Sequence, residues 1–317
     1  MKTDPSSCLI YGCMGLGGGW NRNPITSDDE KIAYDAIYAA LDTGIERFDL
    51  ADIYAYGKAE EVFGKVIKNN PELRNKIILQ SKSGIMLGKG PGNSNIYNFN
   101  KDYLIQQVRD ILKRLQTDYL DIFLLHRPDI LSHASEIAET FHYLRDVGYV
   151  KQFGVSNMSV NQIRLIQNYW KEGLFANQIR LSLGHSIALD IGVSINTFMI
   201  PFDSGLQGML EFCQINNMAI QAWGSLDRGL YTGKPHASMD GKELETARLV
   251  SKLAGKYNVP ENSILLAWLL MIPGTIQPII GTTKPERIRT CKEALEVKMS
   301  HEEWYELWIT ARGKPLP

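Results

Sequence analysis

Short apolar runs and amphipathic stretches alternate along this chain from end to end. The apolar runs fall at roughly 9–16, 47–51, 77–82, 119–126, 152–156, 175–179, 219–223 and 277–280. They are nearly continuous in apolar residues, and such a strand is buried on both faces, as in a parallel sheet covered by helices. The stretches between them have helical spacing. Ser27-Asp28-Asp29-Glu30 predicts a capping box, with Ile32, Ala36, Ile37, Ala40 and Leu41 following on one face. Leu104, Val108, Ile111, Leu112 and Leu115 recur at helical spacing after Asn100. Ser159-x-x-Gln162 opens a further helix with Ile163 and Ile166 inward, and Ala247, Val250, Ala254 and Tyr257 mark a late one. The most apolar stretch, Ile264 to Ile272, ends at Pro273-Gly274. It is too short to span a bilayer and predicts a core helix.

Eight such strands with helices between most of them predict an α/β protein, a closed (β/α)8 TIM barrel, rather than an open doubly wound sheet. No break resembles a linker, so residues 1–317 read as a single domain. Two stretches, 84–98 and 184–205, each follow a strand and are expected at the barrel mouth, where long loops shape a substrate pocket.

Composition narrows the partners. The formal net charge is −1, with acids and bases interspersed, which excludes the basic stripe of a nucleic-acid binder. Nothing in the chain reads as a membrane anchor, and Met1–Pro5 lacks the apolar core of a signal peptide. Cys8, Cys13, Cys213 and Cys291 form no CxxC pair, as expected of reduced thiols in a cytoplasmic protein. A small molecule is the partner these features leave; the oligomeric state has no signature in the sequence.

The candidate chemistry sits where the strands end. Asp49, Tyr54, Lys82 and His126 fall in or just after three different apolar runs. An ionisable group at the end of a buried strand is costly unless paired, and a parallel barrel gathers such ends at its C-terminal mouth. A tyrosine ionises near pH ~10 when unperturbed. A cationic lysine beside it lowers that value, and an aspartate holds the buried ammonium in place. A histidine at the same mouth can hydrogen-bond a substrate oxygen. The set makes an acid aimed at a carbonyl oxygen. The histidines form no HxH or HExxH pattern, which argues against a metal-dependent barrel hydrolase.

Gly44-Ile45-Glu46-Arg47-Phe48-Asp49-Leu50-Ala51-Asp52-Ile53-Tyr54 resembles the first signature of the aldo-keto reductases, in which the aspartate and the tyrosine five residues on are catalytic. Gln80-Ser81-Lys82 resembles the lysine strand of that superfamily, and Asp121-Ile122-Phe123-Leu124-Leu125-His126-Arg127-Pro128 its histidine strand. Phe153-Gly154-Val155-Ser156-Asn157 and Asn177-Gln178 are similar to the segments that hold the nicotinamide carboxamide. The likeness runs in order from about Gly12 to beyond Arg287 and is strongest to bacterial oxidoreductase members that share the His-Arg-Pro-Asp wording.

The resemblance implies a barrel that binds NADP(H) in extended form and reduces aldehydes or ketones. Tyr54 would donate the proton, Lys82 and Asp49 would tune it, and His126 would orient the carbonyl. Ser156, Asn157 and Gln178 would bond the carboxamide, Trp223 would stack on nicotinamide, and Leu226 and Arg228 would meet the pyrophosphate. The stretch Ile280 to Arg287 carries an independent signal. Pro285 suits the first position of a helix, whose exposed N–H groups and dipole favour an anion. Thr282, Lys284 and Arg287, after Gly281, add hydroxyl and charge suited to a 2′-phosphate. The cluster Gly15-Leu16-Gly17-Gly18-Gly19-Trp20 lacks the last glycine of GxGxxG. It reads as a tight turn that lets the backbone at Gly18 and Gly19 approach cofactor. Trp20 resembles a substrate-pocket tryptophan, and Trp20, Tyr56, Tyr97 and Phe99 are expected to line an aromatic pocket. Departures from the pattern are Leu50 for threonine, Arg180 for an acidic residue, and Thr290-Cys291 for the Glu-Asn that holds adenine. Potassium-channel beta subunits also resemble this superfamily, so the alternative function is a cofactor-binding regulatory subunit with vestigial turnover. The presence of all four candidate catalytic residues favours the enzyme.

Overall fold

The apolar runs close into a ring. A computed structural model describes residues 8–197, 205–233 and 238–317. Its strands are β1 (Ile10–Gly12), β2 (Arg47–Asp49), β3 (Ile78–Ser83), β4 (Ile85–Met86), β5 (Ile96–Tyr97), β6 (Leu120–Leu125), β7 (Val150–Ser156), β8 (Ala176–Arg180), β9 (Ala219–Trp223) and β10 (Ile276–Ile280). The helices are α1 (Ser27–Asp42), α2 (Lys58–Asn69), α3 (Lys101–Leu115), α4 (Ala134–Asp146), α5 (Val160–Tyr169), α6 (Ile187–Val193), α7 (Met209–Ile215), α8 (Gly241–Tyr257), α9 (Glu261–Leu270), α10 (Pro285–Thr290) and α11 (His301–Arg312). The barrel order is β1-β10-β9-β8-β7-β6-β3-β2, and every pair in it is parallel. The fold is therefore the expected (β/α)8 TIM barrel. The outward faces of the strands pack on the helices. Phe153 of β7, for example, stacks on Phe141 of α4 with ring centroids 4.2 Å apart.

Local differences from the sequence reading have physical causes. The first run gives a strand only at Ile10–Gly12, after which the chain coils tightly at Cys13–Gly15 with Met14 exposed. The cap of α1 is Thr26, one residue earlier than expected, because Asp29 reaches back to accept from the Thr26 backbone N–H at 2.9 Å. The buried face of α1 is Ala33, Ala36, Ile37, Ala39 and Ala40, and Ile32 is exposed. The Ser159–Gln162 capping box is present. The apolar face predicted for α3 is wholly buried. The glycine- and asparagine-rich loop after β3 contains a small hairpin, in which Ile85 pairs with Tyr97 and Met86 with Ile96. Phe99 leaves the expected pocket. It is buried against Gly84, where a Cβ would stand 2.3 Å from its ring. The readings at Met1–Pro5 and over 198–204 of the second long loop lie outside the described residues. No helix among the described residues is long and apolar enough to cross a membrane.

Candidate active site

The strand ends deliver one inward side chain each to the mouth. Asp49 closes β2, Lys82 is the penultimate residue of β3, His126 follows β6, and Ser156 closes β7. Lys82 Nζ donates to both carboxylate oxygens of Asp49 and to the Leu50 carbonyl, each at 2.7 Å. Both partners of this ion pair are buried. An ion pair taken out of water needs further hydrogen bonds to survive desolvation, and a layer of amides supplies them. Asp49 Oδ1 accepts from Gln80 Nε2 at 2.5 Å and from Gln178 Nε2 at 3.0 Å. Gln80 and Gln221 exchange bonds of 2.8 Å, and Gln178 donates to Gln221 at 3.1 Å. This amide layer, floored by Gln277 at 3.4 Å from Gln221, was not foreseen from the sequence. Its signal was one polar residue recurring at the same inward height in four apolar strands.

Tyr54 reaches the same point from a turn. Its ring centroid lies 4.8 Å from Lys82 Nζ and 6.1 Å from the His126 ring. The turn after it is unusual: Ala55, Tyr56 and Gly57 all have left-handed backbones, with φ of 50°, 61° and 90°. A non-glycine residue there costs on the order of 1 kcal/mol or more. Buried polar contacts behind β3 hold the turn in that shape. Ser81 and Ser83, the outward residues of β3, donate to Glu60 Oε1 at 2.5 Å and to Asp52 Oδ2 at 2.6 Å. Arg114 of α3 donates to Glu60 Oε2 at 2.7 Å, and its stem lies against Gly57, where a Cβ would stand 3.1 Å from Arg114 Cδ. Glu60 was also missed from the sequence. It sits three residues before Phe63 and seven before Ile67, on the apolar stripe of α2, which was its signal.

The electrostatics differ in one respect from the expectation. Burial pushes Tyr54 up to about 12, with Lys82 pulling down and Asp49 pushing up. The lowering by lysine is present but smaller than the cost of removing water. Tyr54 therefore keeps its proton at neutral pH. For Lys82 itself, burial acts to lower the pKa, and Asp49 and Tyr54 together outweigh it and hold the group above its ordinary value. Burial, helped by the charges of Lys82 and Arg127, holds His126 well below the usual histidine range. The imidazole is neutral, and its buried Nδ1 has no hydrogen-bond partner among the described residues.

Asp52 titrates in a testable window. Burial raises its carboxyl to about 7, opposed by the Ser83 hydrogen bond and assisted by Glu60. Between pH ~4 and 7 the unfolded chain has released a proton that the folded protein retains, so this group lowers stability as pH rises. Asp52→Asn should therefore gain stability over the parent at pH 8 and little at pH 4. Urea midpoints of the two proteins at both pH values check this, and a gain independent of pH would refute it.

The other side of the mouth gathers most of the residues expected to meet cofactor. Ser156 Oγ donates to the Gln178 carbonyl at 2.9 Å, and Asn157 Nδ2 donates to Ser156 Oγ at 2.7 Å. Trp223 Nε1 donates to Asn157 Oδ1 at 3.1 Å. Gln178 is in this group, although its amide nitrogen is engaged by Asp49 and Gln221 as described. Leu226 packs partly against the core, and Arg228 has a left-handed backbone with φ of 56°. Lys284 and Arg287 are exposed beside Gly281 and Thr282, with no ion pair among the described residues, whereas Arg289 is paired with Asp42 at 3.3 Å. The glycine turn divides. Gly17 packs on the α2 backbone and Gly18 on Asp29, so a Cβ at either would stand 2.7 Å from protein atoms. Only Gly19 is open, with its nearest neighbour at 3.8 Å. Trp20 meets Tyr56 edge-on at 5.8 Å, beside the Tyr54 turn. Thr290 and Cys291 face α9, where Asn262 donates to them at 3.2 and 3.4 Å.

The family model described as Aldo/keto reductase family matches residues 8–309, and the chain belongs to that family. It is 31% identical over 306 residues to the uncharacterized oxidoreductase YcsN of Bacillus subtilis (strain 168), covering 95% of each chain. It is likewise 31% identical to a 6-dehydroglucose reductase of Agrobacterium fabrum, covering 98% of this chain and 96% of that one. Among solved structures, a thermostable aldo-keto reductase in complex with the inhibitor epalrestat is similar with a TM-score of 0.75 at 25% identity, covering 97% of this chain and 95% of the other.

Proposed function

We propose that this protein is an NADP(H)-dependent oxidoreductase that reduces an aldehyde or ketone to an alcohol, the whole chain of 1–317 working as one barrel domain. The observation that carries the reading is the convergence of a protonated Tyr54, a buried Lys82–Asp49 ion pair and a neutral His126 at one strand-end site. A bound nicotinamide would supply the hydride. Tyr54 would give its hydroxyl proton to the carbonyl oxygen as charge develops there, and the positive charge of Lys82 would stabilise the phenolate left behind. His126 would hold the same oxygen by a neutral hydrogen bond. Asp49 would keep Lys82 charged and fixed. The reductase name of the Agrobacterium relative supports this direction of reaction.

The residues present fit the dinucleotide. Ser156, Asn157, Gln178 and Trp223 would hold the nicotinamide end, with Gly19, Leu226 and Arg228 along the middle. Lys284 and Arg287, exposed and without an ion pair among the described residues, would take the 2′-phosphate together with Thr282. A charge-assisted bond of this kind contributes on the order of 1.5–3 kcal/mol, roughly tenfold to a hundredfold in affinity. Arg287→Ala should weaken NADPH by about that factor and leave NADH nearly unchanged, as read by fluorescence titration of each cofactor. Equal weakening of both would show that Arg287 does not meet the 2′-phosphate. The overall reading is tested by a panel of aldehydes and ketones scored by loss of NADPH absorbance. Tight NADPH binding with no turnover on any carbonyl would instead favour a regulatory subunit.

A further inference from the structure

The mouth carries a cation that the proton chemistry leaves unused. Arg180 ends β8 two residues after Gln178, so it lies on the same inward face one layer nearer solvent. In register it stands beside Trp223, the end of β9. Its guanidinium carbon is 5.9 Å from the Trp223 ring centroid, and a Cβ on Gly224 would stand 3.8 Å from its Cγ. The side chain thus rests along Trp223, whose indole nitrogen is bonded to Asn157. Arg180 is exposed and takes part in no ion pair among the described residues.

The carboxylates around the mouth are held by other donors. Asp227 accepts from Ser182 Oγ at 2.6 Å and from the Gly184 N–H at 3.0 Å. Asp129 accepts from the Phe99 and Leu131 N–H groups, both at 2.9 Å. Asp49 is closed by Lys82. Arg127, half-buried directly after His126, is also without an ion pair among the described residues, and its charge reaches the imidazole. Asp227 feels the charge of Arg180, yet neither Arg180 nor Arg127 has a carboxylate within ion-pair distance among the described residues. A planar guanidinium steadied along an aromatic ring is suited to bidentate capture of a carboxylate or phosphate.

We propose that Arg180 is a specificity-determining residue that binds an anionic group on the carbonyl substrate, so that the preferred substrates are aldehydes or ketones carrying a carboxylate or phosphate. The assignment rests on reading this mouth as a carbonyl-reducing site. It is tested with NADPH and two matched pairs, 4-carboxybenzaldehyde against methyl 4-formylbenzoate, and succinic semialdehyde against its methyl ester. The intact protein should favour the charged member of each pair in kcat/KM, and added salt should narrow the gap. Arg180→Gln should lower the charged-to-neutral ratio by about tenfold, the lower end for a charge-assisted bond at an exposed site. Arg180→Lys should keep part of the preference. Reduction of both members with equal efficiency, unchanged in Arg180→Gln, would overturn the substrate class and leave the reductase standing. Weaker NADPH binding in Arg180→Gln with the ratio intact would assign the guanidinium to the dinucleotide and overturn the proposal. Reduction of none of the four would remove the reductase reading and this inference with it.

Discussion

Tyr54→Phe is expected to abolish carbonyl reduction while NADPH still binds. The hydroxyl combines a retained proton with a neighbouring fixed cation. Its pKa near 12 keeps the proton in place at working pH, and Lys82 stands 4.8 Å from the ring to receive the developing phenolate. A positioned general acid contributes roughly a hundredfold to ten-thousandfold. The lysine field adds to that here, so the loss should lie at the upper end. The ring itself remains in the variant, so packing against His126 and the left-handed turn persists. Turnover at saturating cofactor, measured alongside a fluorescence titration of NADPH, separates the two roles. A variant that kept more than a small part of the parent rate would show that another group supplies the proton.

The second large effect is on stability. Lys82→Met removes the cation from a buried pair, and an uncompensated buried charge costs about 3–5 kcal/mol. Gln80 and Gln178 continue to donate to Asp49 Oδ1, which should hold the loss near the lower end of that range. Adding Asp49→Asn in the same chain removes the stranded charge and should recover much of the stability. It should not recover the rate, because nothing then stabilises the Tyr54 phenolate. Urea midpoints and m-values for the three proteins read the first part, and NADPH-coupled turnover reads the second. Recovered turnover in the double variant would dismiss the proposed role of the lysine.

Both predictions depend on how the sequence placed its polar residues. The strands were legible because burial on both faces leaves a continuous apolar run, and the tetrad because a charged or phenolic residue closes or follows such a run. The parallel barrel followed from the count and alternation of elements. The tetrad comes from three separate stretches of the chain, with Asp49, Lys82 and His126 each set by a strand end and Tyr54 by the turn after β2, so local patterning was enough to name them. The candidate phosphate residues at Thr282, Lys284 and Arg287 were legible for a similar reason, since Pro285 opens a helix locally.

Other features arise only when distant strands are brought to the same height. Gln80, Gln178, Gln221 and Gln277 each look like an ordinary polar residue within an apolar run, and become a network only across the closed ring. Gly18 and Gly19 read in the sequence as a turn where the backbone approaches cofactor. The fold gives the side-chain space at Gly18 to Asp29 and leaves Gly19 open, because a helix packed on the barrel takes the close approach at one position and not at the next. The balance at Tyr54 was likewise decided in three dimensions. The sequence contained the lysine that lowers its pKa, but the burial that raises it depends on water excluded by the whole mouth. By itself, then, the sequence determined which side chains end the strands and what chemistry they carry, since those depend on residue type and short-range period. The tertiary structure decided how far each is desolvated and which partners share its hydrogen bonds, because both are sums over neighbours from strands and helices remote in the chain.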